Sequence, residues 1–233
     1  MRVVILQSNY LPWKGYFDLI HDADLFVFYD DLQYTKNDWR NRNRLKTPRG
    51  LEWLTIPVGK DERRLINEVA LPADRAWAAQ HWRLLEENYG AAPHFARYAD
   101  FFREVYASRA WTRLSELNQH LIKAIAREFL GITAEFADSA QFGLKSAKQE
   151  RVIELLKAVG ARTYVSGPAA KDYLDPARFE AEGIGLVWKN YAGYPEYPQF
   201  HPPFEHAVSI VDLLFHTGPE AAAQIWGGRR GIG

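Results

Sequence analysis

The sequence predicts an α/β protein built on a mostly parallel, open sheet with a helical insertion, and three observations predict it. Val3-Val4-Ile5-Leu6 is a short β-branched run that breaks into a turn-forming, aromatic segment, residues 7–16. A second apolar run, residues 25–29, follows a short stretch of helical character and ends on Asp30-Asp31. Together they read as the strand, loop, helix and strand of a right-handed parallel crossover. From residue 74 to residue 130 the periodicity becomes helical, and from residue 132 strand-like runs alternate with helices again.

Each element has its own justification. Residues 15–23 carry Tyr16, Phe17, Leu19 and Ile20 at helical spacing and return the chain to the second strand. Residues 33–50 are polar and basic, with Lys36, Arg40, Arg42, Arg44, Lys46 and Arg49 against Asp38, and strand character resumes over residues 53–58. Asp74 is placed to cap a helix over 75–89 that Gly90 ends. Residues 93–109 form an aromatic helix, and residues 112–130 a further one with Leu114, Leu117, Leu121, Ile125 and Phe129 on one face and Gly131 as its stop. Strands are expected at 132–136, 163–165 and 186–188, with an amphipathic helix over 147–159 stopped by Gly160. A last helix covers 209–215, and residues 227–233 read as a frayed end.

With 233 residues the chain can form one substantial core, so the expectation is a single α/β domain over 1–233 with 74–130 as a helical insertion or cap. Lys+Arg 29 against Asp+Glu 29 leaves a formal net charge of zero, which removes any global electrostatic case for nucleic acid or a membrane surface. Anion preference must then be local. The absence of cysteine excludes disulfides, thiolate metal sites and a cysteine nucleophile. No apolar stretch approaches the roughly 18 residues of a membrane span, and no signal-peptide pattern follows Arg2, so the expected location is cytoplasmic. Aromatic content is 14%, with 8 Trp and 12 Tyr; such side chains serve ligand pockets as well as cores.

Four clusters carry candidate chemistry. The first is residues 7–16, where Gln7, Asn9, Tyr10, Trp13 and Tyr16 would line a pocket and Lys14 could neutralise a phosphate at a helix start. This layout resembles that of nucleotidylyl transferases, a nucleotide-binding arrangement in which His-x-Gly-His stands at this position. Here Pro12-Trp13-Lys14-Gly15-Tyr16 replaces it and neither histidine is present. The second is Asp30-Asp31, a candidate base or amine-orienting pair, with Gln33 and Tyr34 beside it. Adjacent side chains on an extended segment point to opposite faces, so at most one of the two carboxylates enters a pocket. The third is Lys36 with the row Trp39-Arg40-Asn41-Arg42-Asn43-Arg44. If extended, it places the guanidinium groups on one side and the amides on the other, and guanidinium forks match phosphate geometry. The fourth joins Lys145-Ser146-Ala147-Lys148 to Tyr164-Val165-Ser166-Gly167, with Lys145, Ser146, Ser166 and Gly167 as the candidate binding residues. Both are loops beside secondary structure and suit phosphate or carboxylate binding, since the Gly-x-Ser-x-Gly elbow is absent. Among seven histidines no metal-ligand spacing occurs; His201, beside Gln199 in an aromatic tail, is the one that could fold over a pocket.

Several blocks, QSNYLPWKGYFDLI, ADLFVFYDDLQYTKNDWRNRNRL, WLTIPV, LSELNQHLI, YVSGPAAKDYL, YPQF and SIVDLLF, resemble the WbqC-like protein family across nearly the whole chain. That resemblance implies a place in bacterial surface-polysaccharide metabolism and work on sugars, activated sugars or their substituents. The leading expectation is a transferase that moves an acyl or aminoacyl group onto an amino sugar, with a phosphate-bearing partner such as a nucleotide sugar and with ATP or an acyl carrier's phosphate as the cofactor to test. The alternatives are a nucleotidylyl transferase with an altered motif and a non-catalytic module that binds a glycan or nucleotide sugar. Nucleic acid is disfavoured.

Overall fold

A computed structural model of the chain describes residues 1–227. Strands β1 (Arg2–Leu6) and β2 (Leu25–Phe28) flank helix α1 (Lys14–His21). A hairpin of β3 (Arg42–Thr47) and β4 (Gly50–Thr55) follows, and then helices α2 (Ala76–Tyr89), α3 (Phe95–Arg103) and α4 (Leu114–Ala124). The chain returns at β5 (Glu135–Asp138) and continues through α5 (Lys148–Ala158), β6 (Thr163–Ser166), α6 (Pro176–Glu180) and β7 (Gly185–Trp188). Helices α7 (Ile210–Thr217) and α8 (Ala221–Trp226) close the described residues.

The main sheet has the order β5-β2-β1-β6-β7, and every neighbouring pair is parallel. Counted among the five sheet strands alone, that order is 3-2-1-4-5, with its reversal between β1 and β6. It opens the 3-2-1-4-5-6 order of dinucleotide-binding folds. The α/β expectation with a mostly parallel open sheet therefore holds.

Both faces of the sheet are covered, and the strands alternate accordingly. Val3, Ile5, Val27, Tyr29 and Tyr164 pack with Ile153, Leu155 and Leu156 of α5 and with Phe179 of α6. Val4, Phe26, Phe28 and Val165 pack on the other side with residues of α1, α4 and α7. Each such buried side chain contributes about 1.5–3 kcal/mol relative to exposure, so a one-residue slip of any strand would reverse the contribution.

The helical stretch departs from expectation in detail. The helix expected over 112–130 is α4 followed by a π-helical turn, Ile125–Phe129, before Gly131 takes φ +66°. The 93–109 helix likewise ends in a π turn, Glu104–Ser108. Asp74 does not cap α2 as expected: Arg75 stands at the cap without a side-chain bond, and Asp74, one residue earlier, accepts from the Ala76 N–H at 2.9 Å in a local turn.

Two expectations need correction. The strand expected over 53–58 does not join the parallel sheet: β4 pairs antiparallel with β3, from Arg42 opposite Thr55 to Thr47 opposite Gly50. Pro48 and Gly50, the latter at φ +103°, turn the chain back on itself at that point. Helix α8 was not expected. The frayed end expected over 227–233 lies, beyond Gly227, outside the described residues. No helix among the described residues is long and apolar enough to cross a membrane.

Candidate functional site

In open α/β sheets ligands bind beyond the carboxyl ends of the strands, where the strand order reverses. Here that point lies between β1 and β6, and a cleft of about 690 Å3 occupies it. Ile5, Leu6 and Gln7 bring the end of β1 to its wall, and Tyr164, Ser166 and Gly167 bring the end of β6. Tyr29 and Leu32 follow β2, while Lys148, Gln149 and Val152 belong to the first turns of α5. Ala169, Ala170, Tyr173 and Leu174 form the remaining wall. Apolar and aromatic groups dominate, with a few polar groups among them, which is the composition of a small-molecule site.

The polar groups are neutral hydroxyls and amides, with one lysine among them. Burial pushes the phenols of Tyr29 and Tyr164 up to about 12, so both remain neutral O–H groups. Ser166 Oγ lies 3.4 Å from the Tyr164 hydroxyl. Lys148 supplies a cation at the lip, and its φ of +52° is a left-handed conformation at the first residue of α5. A non-glycine residue held there costs of order 1–3 kcal/mol and is most often found where a site needs it. Tyr173 is 72% exposed and presents an open aromatic face at the rim.

The clusters expected from sequence converge only in part. Gln7, Ser166 and Gly167 line the cleft. Lys145 and Ser146 do not: their backbone N–H groups donate to the Glu154 carboxylate at 3.1 and 2.8 Å and fix the loop before α5. The cleft residue from that loop is Lys148, three positions on. Gln199 and His201 lie elsewhere. Gln199 Nε2 donates to Asp212 Oδ1 at 2.8 Å and its Oε1 accepts from Lys46 Nζ at 3.1 Å, while His201 sits beside the β3–β4 turn.

The expectation for Lys14 is overturned. Its side chain is buried, not free for a ligand: Nζ lies 2.9 Å from His206 Nδ1 and 5.0, 5.3 and 5.5 Å from the ring centres of Tyr194, Tyr197 and Phe204. Burial pulls its pKa down to about 8, against the pull of Asp212. The helix start is also covered. The Trp13 indole lies over Gly15 so closely that a Cβ there would stand 2.2 Å from it, which explains the glycine.

Asp30 and Asp31 do diverge to opposite sides, as alternation requires, but neither is open. Asp30 is fully buried; Oδ1 accepts from the Ser8 N–H at 2.7 Å and Oδ2 from Gln119 Nε2 at 3.0 Å. Desolvation raises its pKa although Gln119 and Ser8 oppose the rise. Asp31 is held by Arg151 and by Ser139 Oγ. The catalytic expectation for both is corrected to positioning: Asp30 fixes the chain leaving β1, and Asp31 ties β2 to α5. The carboxylate that reaches an open recess is Asp138, at the end of β5. It shares Gln119 with Asp30 and borders a recess of about 480 Å3 with Asn67, Gln119 and Lys123.

Tyr10, Tyr16 and Tyr34 are corrected for the same reason, burial. Tyr16 donates to the Gln7 carbonyl at 2.9 Å. Tyr10 bonds His81 Nδ1 at 2.8 Å and also Tyr106, while His81 Nε2 meets the Thr55 carbonyl at 3.1 Å. Desolvation lowers the His81 pKa to about 4, so the ring is neutral, donating through Nε2 and accepting at Nδ1. Tyr34 is fully buried under Arg64. Gln33 and Lys36 are exposed, and Lys36 pairs with Glu62 at 3.3 Å.

The Arg/Asn row keeps the alternation its spacing predicts. Asn41 and Asn43 turn inward: Asn41 Nδ2 donates to the Ile56 carbonyl at 2.9 Å, and Asn43 Nδ2 to the carbonyls of Tyr10 and Leu11 at 3.2 and 2.8 Å. The guanidinium groups do not act together. Arg40 donates to Asn9 Oδ1 and, at 3.3 Å, to Gln7 Oε1 at the cleft wall. Arg42 stacks 4.0 Å from the Trp53 ring centre, and Arg44 donates to the Ala207 carbonyl at 2.9 Å. Sequence reasoning missed Gln149, Tyr173 and Asp138, and it named Lys148 only as the end of the Lys145–Lys148 stretch, not as a binding residue. An acid at a strand end was the available signal for Asp138, since it stands in register with Phe28, just before Asp30-Asp31.

Fold and cleft together define a doubly wound α/β protein with an open cleft at its switch point. The chain belongs to the WbqC-like protein family, whose model matches residues 7–224. It is similar to Uncharacterized protein Rv1507c of Mycobacterium tuberculosis, with 47% identity over 223 residues that cover 94% of this chain and 95% of that one. No solved structure matches it.

Proposed function

We propose that this chain is a transferase of surface-polysaccharide or activated-sugar metabolism that seats a phosphate-bearing substrate of the nucleotide-sugar type in the switch-point cleft. The reaction is transfer of an acyl or aminoacyl group to an amino sugar. The observation that carries the reading is the cleft itself, at the reversal between β1 and β6, with the Lys148 cation at its lip and the neutral hydroxyls of Ser166, Tyr164 and Tyr29 within. Such a set suits a phosphate at the mouth and a less polar group inside. In the transfer, the amine nitrogen bonds the acyl carbon, the bond from that carbon to its carrier breaks, and the amine's proton ends on the departing carrier atom.

Incubation with nucleotide sugars and acyl donors, with ATP present and absent, followed by mass spectrometry, tests the reaction. A product heavier by one acyl or aminoacyl group is expected. Unchanged substrates across a broad panel would count against transfer, and pyrophosphate release with a nucleotidylated product would replace it with nucleotidylyl transfer. The covered start of α1 and the buried Lys14 argue against that second reading, because the one cation of that segment is enclosed by Tyr194, Tyr197, Phe204 and His206 and is not open to a ligand.

A further inference from the structure

A smaller pocket of about 190 Å3 lies between the β1–α1 loop and the hairpin. Asn9, Trp13, Trp39, Asn43 and Arg44 line it. We propose that this pocket binds a single hexopyranose ring, without need of a phosphate, as a saccharide subsite next to the cleft. Only its service to the cleft's reaction rests on the reading given above; the saccharide chemistry rests on the pocket.

Its size comes first. Sites for drug-sized ligands occupy about 300–1,000 Å3, so this pocket takes about one ring and excludes a nucleotide. Its chemistry comes second. A pyranose has C–H faces that are apolar and an edge of hydroxyls that accept and donate. Two indoles, Trp13 and Trp39, offer flat apolar surfaces, and Trp39 remains 40% exposed. Arg44 is held by the Ala207 carbonyl at 2.9 Å and by the rings of Trp39 and Trp53 at 5.8 and 5.9 Å. Its buried Nε has no hydrogen-bond partner among the described residues, so its fork is fixed in place with further N–H groups to donate. Arg40 takes Asn9 Oδ1, which leaves Asn9 its amide N–H groups to offer.

Arg40 also links this pocket to the cleft. One guanidinium donates to Asn9 of the pocket and to Gln7 of the cleft wall. Two residues of extended chain span about 7 Å, so a sugar in the small pocket and an activated group in the cleft would lie within reach of one another.

Saturation-transfer NMR with methyl glucopyranosides, methyl galactopyranosides and methyl N-acetylglucosaminides tests the proposal, because these probes carry no phosphate and variants at Trp39 and Arg44, which line the small pocket and not the cleft, report where they bind. Transfer to the ring protons of at least one glycoside is expected. Trp39→Ala should weaken it about tenfold, the scale of one lost aromatic face, and Arg44→Lys should weaken it through loss of the fork while the charge stays. No transfer from any glycoside, transfer that both variants leave unchanged, or displacement of the glycoside by inorganic phosphate would overturn the proposal. A glycoside that binds while nucleotide sugars do not would uphold the small pocket and remove the reading of the cleft; nucleotide sugars that bind while glycosides do not would do the reverse.

Discussion

Burial costs Lys14 much of its basicity, and the direction of that change sets a test. Its folded pKa of about 8 lies below the ordinary 10.5. Between those values the unfolded chain keeps a proton that the folded chain has lost, so stability rises with pH across the window, and the penalty of burying the charge is fully present below pH 8. The wild type should therefore gain on Lys14→Met by up to about 3 kcal/mol from pH 8 to pH 10.5, read from urea midpoints. Parallel pH profiles would contradict the assignment. Asp30→Asn sets a second test, since an amide would turn a donor toward Ser8 N–H or Gln119 Nε2. A cost of about 1–3 kcal/mol is expected from that mismatch, and an unchanged midpoint would show that the two bonds do not hold the loop. The residue types that drew notice in the sequence were the right ones to notice, yet Lys14, Asp30 and Tyr10 serve the interior. Sequence shows that a lysine or a tyrosine follows a strand; it does not show which long-range neighbours, such as His206 or His81, enclose it.

The hairpin and α5 carry the next level of argument. Parity placed the amides of Asn41 and Asn43 inward and the arginines outward, because alternation in a strand is local. It could not place Arg42 over Trp53, since that pairing follows from the register that the Pro48 and Gly50 turn imposes. Asn43 joins the hairpin to the β1–α1 loop through two carbonyls. Asn43→Ala should cost about 1–3 kcal/mol in thermal or urea unfolding. In α5 the left-handed Lys148 separates stability from binding. Lys148→Gly removes a strained φ at a modest entropic cost, so the variant should be no less stable than the wild type while nucleotide sugars bind it more weakly. A clear loss of stability would show that the side chain packs rather than binds.

At the scale of the whole molecule, function is placed by the meeting of β1 with β6, strands separated by more than half the chain. Local periodicity gave the strands themselves and the polar loops that follow them, and so Gln7, Ser166 and Gly167 were legible before the fold. Which loops share a cleft depends on strand order, and Gln149, Tyr173 and Asp138 became visible only with it, as did the preference for Lys148 over Lys145 and Ser146. The most direct test of the account is a thermal-shift titration with nucleotide sugars on the wild type and on Ala169→Trp. Ala169 is exposed and lines the cleft, so an indole there would fill the mouth without entering the core. A ligand at 100 times its Kd adds about 2.7 kcal/mol to the folded state, a rise in Tm on the order of 5–10 °C for a chain of this size. The account predicts that rise in the wild type and its loss in Ala169→Trp; no shift with any nucleotide sugar, or the same shift in both proteins, would contradict it.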